Sequence, residues 1–163
     1  MPKALIIVDM QKVFLRHSMA LIPKVQELAA LWPEDHLYWL QYRNYPGSLY
    51  EKHLDWEDGT LSHEIELIEG PGQTRKILHY GYAPPREFID EMAQKYDTAY
   101  VCGVDTDACV YAAMISLWDA EVRPVLLSDY CGSSGGKNFH DAALSLMHRQ
   151  FGMDCVISGI PKA

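Results

Sequence analysis

Four cysteines occur in the 163 residues, and one of them, Cys109, sits where a thiol can do chemistry. It follows the turn GVDTDA of residues 103–108 and opens an apolar stretch that reads as a helix. Thr106 or Asp107 can cap that helix through a side-chain oxygen. Cys109 then falls in the first turn, where backbone N–H groups lack partners and the helix dipole is positive. A thiolate is favoured there, and such sites can lower a thiol pKa to roughly 3.5–7.5. The same N–H groups could stabilise an oxyanion on an attacked carbonyl. The competing reading is a small buried residue on an inward helix face, and spacing alone does not separate the two. Cys102 and Cys155 fit the buried reading, each in or beside an apolar run. No two cysteines form a C-x-x-C pair, so neither a zinc ribbon nor a redox motif is supported. In a reducing compartment free thiols are expected.

A second capable residue is Asp9, which ends the apolar run ALIIV of residues 4–8. Such continuous runs suit strands covered on both faces. Further strands are expected over 36–42, 74–79, 98–102, 122–127 and 153–157, and helices over 23–32, 85–96, 108–120 and 138–151. Residues 43–72 are irregular and carry three turn signals, Pro46-Gly47, Asp58-Gly59 and Gly70-Pro71-Gly72. A loop of that length is often functional. The alternation predicts an α/β fold, a three-layer, doubly wound, mostly parallel sheet of about five to six strands with helices on both faces. Residues 1–163 are read as one domain. Ligands of such folds bind beyond the carboxyl ends of the strands, so Asp9 and Cys109 point to one edge of the sheet.

The hydrophobic fraction of 48% and charged fraction of 22% are ordinary for a globular protein. A net charge of -8 argues against nucleic acid or an anionic membrane surface as partner. No stretch is long enough to span a bilayer and none has the pattern of a signal peptide, so a cytoplasmic location is expected.

Several segments resemble the isochorismatase-like cysteine hydrolase family, which includes nicotinamidases, N-carbamoyl amide hydrolases and isochorismatases. ALIIVDMQKVF (4–14) is similar to the family's strand followed by Asp-x-Gln-x-x-Phe. KILHYGY (76–82) is similar to Lys-x-x-Tyr-Ser-Ala-Phe, and GVDTDACV (103–110) to Gly-Val-x-Thr-x-x-Cys-Val. VLLSDYCGSSGG (125–136) resembles the strand, Asp and small-residue loop that follow. The resemblance implies a triad of Asp9, Lys76 and Cys109. Asp9 would take the thiol proton and return it to the leaving amine, Lys76 would hold both anions by charge, and Cys109 would form a thioester. Arg75 rivals Lys76 by position, and the spacing of Tyr80 and Tyr82 selects Lys76. The resemblance also implies a cis peptide between Val104 and Asp105, which with Cys109 would present amide N–H groups to the oxyanion. Phe14, Tyr80 and Tyr82 would line the pocket or serve as aromatic core. Gln11 would contact substrate or only the backbone of a neighbouring loop. A homodimer or homotetramer is implied too, with Tyr111 and Trp118 as candidates for the interface.

Two departures narrow the reading. Nicotinamidases carry Asp-x-His and a later His after the second strand, whereas here His53 and Asp55 stand in reversed order with His63 beyond. The segment reads as a polar loop, so no metal and no cofactor are assigned. Cys109 points to C–N hydrolysis and away from vinyl-ether cleavage, and the only evident anchors for an anion are Arg43 and Arg86. The expected activity is hydrolysis of a small amide, ureido or carbamoyl compound, with selectivity residing in residues 43–72. The alternatives are a binding or assembly protein on the same scaffold, an isochorismatase or nicotinamidase proper, or a nucleotide binder using the 132–136 loop. That loop lacks G-x-G-x-x-G spacing.

Overall fold

The run Ala4–Val8 forms β1, and every residue of it is buried, as expected of a strand covered on both faces. In the computed structural model, which describes residues 1–61 and 63–161 (His17 by its backbone alone), parallel strands flank β1 on both sides. Val8 lies opposite Leu40 of β2 (Leu37–Tyr42) and opposite Gly103 of β4 (Thr98–Val104). β3 (Lys76–His79) adds beyond β2, while β5 (Arg123–Gly132) and β6 (Val156–Ile157) add beyond β4. The order is β3-β2-β1-β4-β5-β6, and every neighbouring pair is parallel. The sheet is thus wholly parallel, with six strands. The chain builds outward from β1 to β3 and then returns to the other side of β1. Between β1 and β4 lies the switch point, where doubly wound sheets open a crevice.

The connections are α1 (Leu21–Leu31), the short α2 (Leu49–Leu54) within the irregular stretch, α3 (Arg86–Lys95), α4 (Cys109–Asp119) and α5 (Lys137–Phe151). α3 buries Phe88, Ile89 and Met92, as its periodicity predicts. Right-handed crossovers put α1 on one face and α3, α4 and α5 on the other. Among the described residues, no helix is long and apolar enough to cross a membrane. Tyr111 and Trp118 find partners within the chain, Tyr111 donating to Gln150 and Trp118 packing on Phe151 at 5.3 Å.

Element ends depart from expectation most at β5 and β6. β5 runs to Gly132 because, past a register shift between Val101 and Gly103, Cys131 and Gly132 still pair with Gly103 and Val104. β6 is only two residues, since residues 153–155 form a tight helical turn first. Gly103 is what lets β4 lie so close to β1. Its φ is +113°, and a Cβ there would sit 2.1 Å from the Val8 carbonyl oxygen.

Candidate active site

Asp9 leaves β1 in the left-handed region, φ 51°, with its side chain buried. Its N–H donates to the Leu40 carbonyl at 3.1 Å. At the carboxyl end of β3, His79 lies in register with Tyr42. His79 Nε2 is 2.6 Å from Asp9 Oδ1, and Nδ1 is 2.8 Å from the Gly81 carbonyl oxygen. Two acceptors on the two ring nitrogens call for a doubly protonated ring. Burial pulls the imidazolium pKa down, but the Asp9 charge, its hydrogen bond and the Gly81 carbonyl lift it above the usual 6.5.

Cys109 begins α4, half-buried, at the same edge of the sheet. Neither expected cap is made: Thr106 Oγ1 is 2.7 Å from His140 Nδ1, and Asp107 accepts from the Ser133 hydroxyl at 2.6 Å. Ala108 occupies the cap position without a side-chain bond. The Ala108 and Val110 N–H groups both donate to the Asp105 carbonyl, at 3.0 and 3.2 Å, whereas the Cys109 N–H meets its own thiol. Burial, then the charge and hydrogen bond of Asp9, push this thiol well above its usual 9.0. That corrects the expected lowered pKa. The helix terminus is outweighed by burial and by an adjacent anion, so Cys109 rests as a thiol beside a carboxylate. The Val104–Asp105 peptide is cis. The Asp105 carboxylate accepts the Ser134 N–H at 3.0 Å and the Ser134 hydroxyl, which ties this turn to the loop after β5. The other cysteines are buried and do not border the pocket beside Cys109, and burial raises the Cys131 thiol to about 12.

Asp9, Asp105 and Cys109 floor a pocket of about 390 Å³, its open mouth included. Its wall is aromatic. Phe14, Tyr42, Tyr50 and Trp56 form a closed circuit of ring contacts at 5.8, 5.5, 6.4 and 5.7 Å, and Tyr82 joins Tyr50 at 5.1 Å.

Residues 87–156 match the family described as isochorismatase domain. No curated protein matches the sequence. Over nearly its full length the chain superposes on the pyrazinamidase of Pyrococcus horikoshii in complex with zinc, with TM-score 0.82, 18% identity and 98% and 99% of the two chains covered. The chain has an isochorismatase-like fold. The N-carbamoylsarcosine amidase of Thermoplasma acidophilum shares it at TM-score 0.77 and 16% identity, with 98% and 96% covered. An isochorismatase-like hydrolase of Alkaliphilus metalliredigens shares it at TM-score 0.76 and 16% identity, with 97% and 95% covered. The resemblance drawn from the motifs therefore holds, by family match over the carboxyl-terminal part and by fold over the whole chain.

Within this isochorismatase-like fold the sequence-derived residues separate into two groups. Asp9, Cys109, Val104, Asp105, Phe14 and Tyr82 all border the pocket. Lys76 does not. It starts β3, exposed and in register with Trp39, three residues and about 10 Å from the strand's carboxyl end. Strand alternation also turns it to the face opposite His79. Gln11 is fully buried and faces backbone: Nε2 donates to the Tyr42 and Ile65 carbonyls at 2.8 and 3.1 Å, and Oε1 accepts the Tyr42 N–H at 2.8 Å. Of its two readings, only the structural one fits. Tyr80 is half-exposed outside the pocket, edge-to-face with Tyr45 at 6.2 Å. Arg86 is also outside, near Asp90 at 3.8 Å on an exposed helix surface.

A zinc site is not formed by the candidate ligands. His53 borders a groove with Tyr45 and Leu54, whereas His63 lies with Lys12 and Glu64. Among the described residues no group of three or more His, Cys, Asp or Glu side chains is arranged to hold a metal ion. The residues missed from sequence are His79, Tyr42, Tyr50 and Trp56. His79 and Tyr42 carried a usable signal, since each ends a strand at the edge where Asp9 emerges. Tyr50 and Trp56 carried none beyond their presence in residues 43–72.

Proposed function

We propose that the chain is a cysteine hydrolase that cleaves a C–N bond in a small amide, ureido or carbamoyl compound. Asp9, His79 and Cys109 are its working groups, with His79 in the role first given to Lys76. The observation that carries the reading is the 2.6 Å Asp9–His79 contact beside Cys109 at the switch point. The fold shared with proteins named as amidases supports it.

In this reading Cys109 Sγ attacks the substrate carbonyl carbon while its proton passes to Asp9. The carbonyl π electrons move to oxygen, and the Cys109 N–H faces the resulting oxyanion. Collapse breaks the C–N bond, Asp9 returns the proton to nitrogen, and ammonia or an amine leaves a thioester. Asp9 then accepts a proton from water as its oxygen attacks the thioester. Collapse expels the Cys109 sulfur, which recovers the proton, and the carboxylic or carbamic acid departs. One water is consumed per bond cleaved. The imidazolium of His79 pairs with Asp9 at 2.6 Å and orients it, a charge role that a lysine ammonium could equally fill.

The test is an ammonia-release screen over small amides and ureido compounds, with Cys109→Ala as control. Release that vanishes in the variant is the expected result. Release that survives it, or none from any compound, contradicts the reading and favours a binding protein on this scaffold.

A further inference from the structure

The proposed chemistry leaves open what the non-reacting end of the substrate is, and the pocket wall bears on it. That wall is made of aromatic side chains from three separate parts of the chain: Phe14 after β1, Tyr42 at the end of β2 with Tyr50 and Trp56 beyond it, and Tyr82 after β3. Among the described residues no lysine or arginine side chain borders it; its charged groups are Asp9 and Asp105. The imidazolium of His79 is buried and committed to Asp9 at 2.6 Å. An anionic substrate would meet the Asp105 carboxyl and an Asp9 already paired with His79, with no free counter-charge on the wall. A cation would meet ring faces, which attract positive charge through their quadrupoles, and a floor of like-signed acids that favours it. The net charge of -8 biases encounter the same way.

Resting on the hydrolase reading, we infer that the substrate is a small amide whose non-reacting end is an alkylammonium cation, held in the cup formed by Phe14, Tyr42, Tyr50, Trp56 and Tyr82. The shape of the group alone does not select it; the charge does.

Three probes of similar size isolate that charge: trimethylammonioacetamide, the isosteric tert-butylacetamide and the anion malonamate. Binding is measured by titration calorimetry on the Cys109→Ala protein, where the ammonium's inductive effect on carbonyl reactivity cannot enter. The cation is expected to bind about thirtyfold tighter than its neutral isostere, the size of a desolvated cation–π contact, with malonamate weakest. Trp56→Phe keeps an aromatic ring but weakens its quadrupole, so the cation-to-neutral ratio should shrink in that background. Equal or weaker binding of the cation, binding of none of the three, or a ratio unmoved by Trp56→Phe overturns the proposal. If the cation is preferred in binding but the wild-type protein releases no ammonia from any amide, the cup stands and the hydrolase reading falls.

Discussion

The two sides of the pocket are held in place by different means. On the β1–β4 side, strand register and one close backbone contact set Asp9, and the bonds of Asp105 to Ser134 fasten the turn that leads to Cys109. Gly103 lies against Val8, Asp9 is the next residue, and Cys109 follows after a short turn. On the β2–β3 side, two buried amides do the holding. Gln11 bonds to Tyr42 and Ile65; Asn44 donates to the Trp56 carbonyl at 2.9 Å and accepts from Ser48 at 2.7 Å. The first side brings acid and thiol together, while the second shapes the wall and supplies His79. The contrast teaches that the acid and the thiol are placed by adjoining parallel strands at the switch point, whereas the wall is placed by side-chain bonds within an irregular stretch.

The sharpest break between the sides is Asp9→Asn. Loss of the base should lower turnover about 10³-fold or more. The same change removes the charge and hydrogen bond that raise the Cys109 pKa, so thiolate absorbance should titrate at lower pH than in the wild type. A thiol pKa that stays put would mean Asp9 is not its neighbour in solution.

On the other side, Gln11→Ala leaves buried backbone groups unpaired and should cost about 2–4 kcal/mol in denaturant unfolding, whereas exposed Lys76→Ala should cost under about 0.5 kcal/mol. Equal losses would erase the distinction drawn between them.

The pH dependence follows from His79. Its pKa is raised in the fold, so the protonated ring stabilises the folded state fully below about 6.5, and that contribution fades as pH rises through the folded value. Turnover should fall over the same rise with a single-proton slope, and His79→Gln should remove that limb. The smallest effect separates the two tyrosines of the β3 motif: Tyr82→Ala should raise KM about fivefold through lost wall area, and Tyr80→Ala should leave it within about twofold.

How far the sequence could be read mirrors the same division. The parallel sheet, Asp9 and Cys109 were legible because apolar runs fix strands, and both residues sit at short offsets from a strand end. His79 was not, because a lysine three residues earlier satisfied the motif, and only the strand's actual span shows which residue reaches the edge. The wall was not, because Tyr50 and Trp56 take their places through the bonds of Asn44 and their own ring contacts, which no periodicity encodes. The thiol's acidity was misjudged for an energetic reason: a helix start lowers it, but burial beside a carboxylate raises it more.

The central claim is that His79, and not Lys76, completes the site with Asp9 and Cys109. It is tested most directly by kcat/KM for ammonia release from one amide substrate in wild type, His79→Ala and Lys76→Ala. A fall of about 10²-fold or more in His79→Ala with Lys76→Ala within about twofold of wild type is the predicted result. A collapse in Lys76→Ala with His79→Ala near wild type would contradict it.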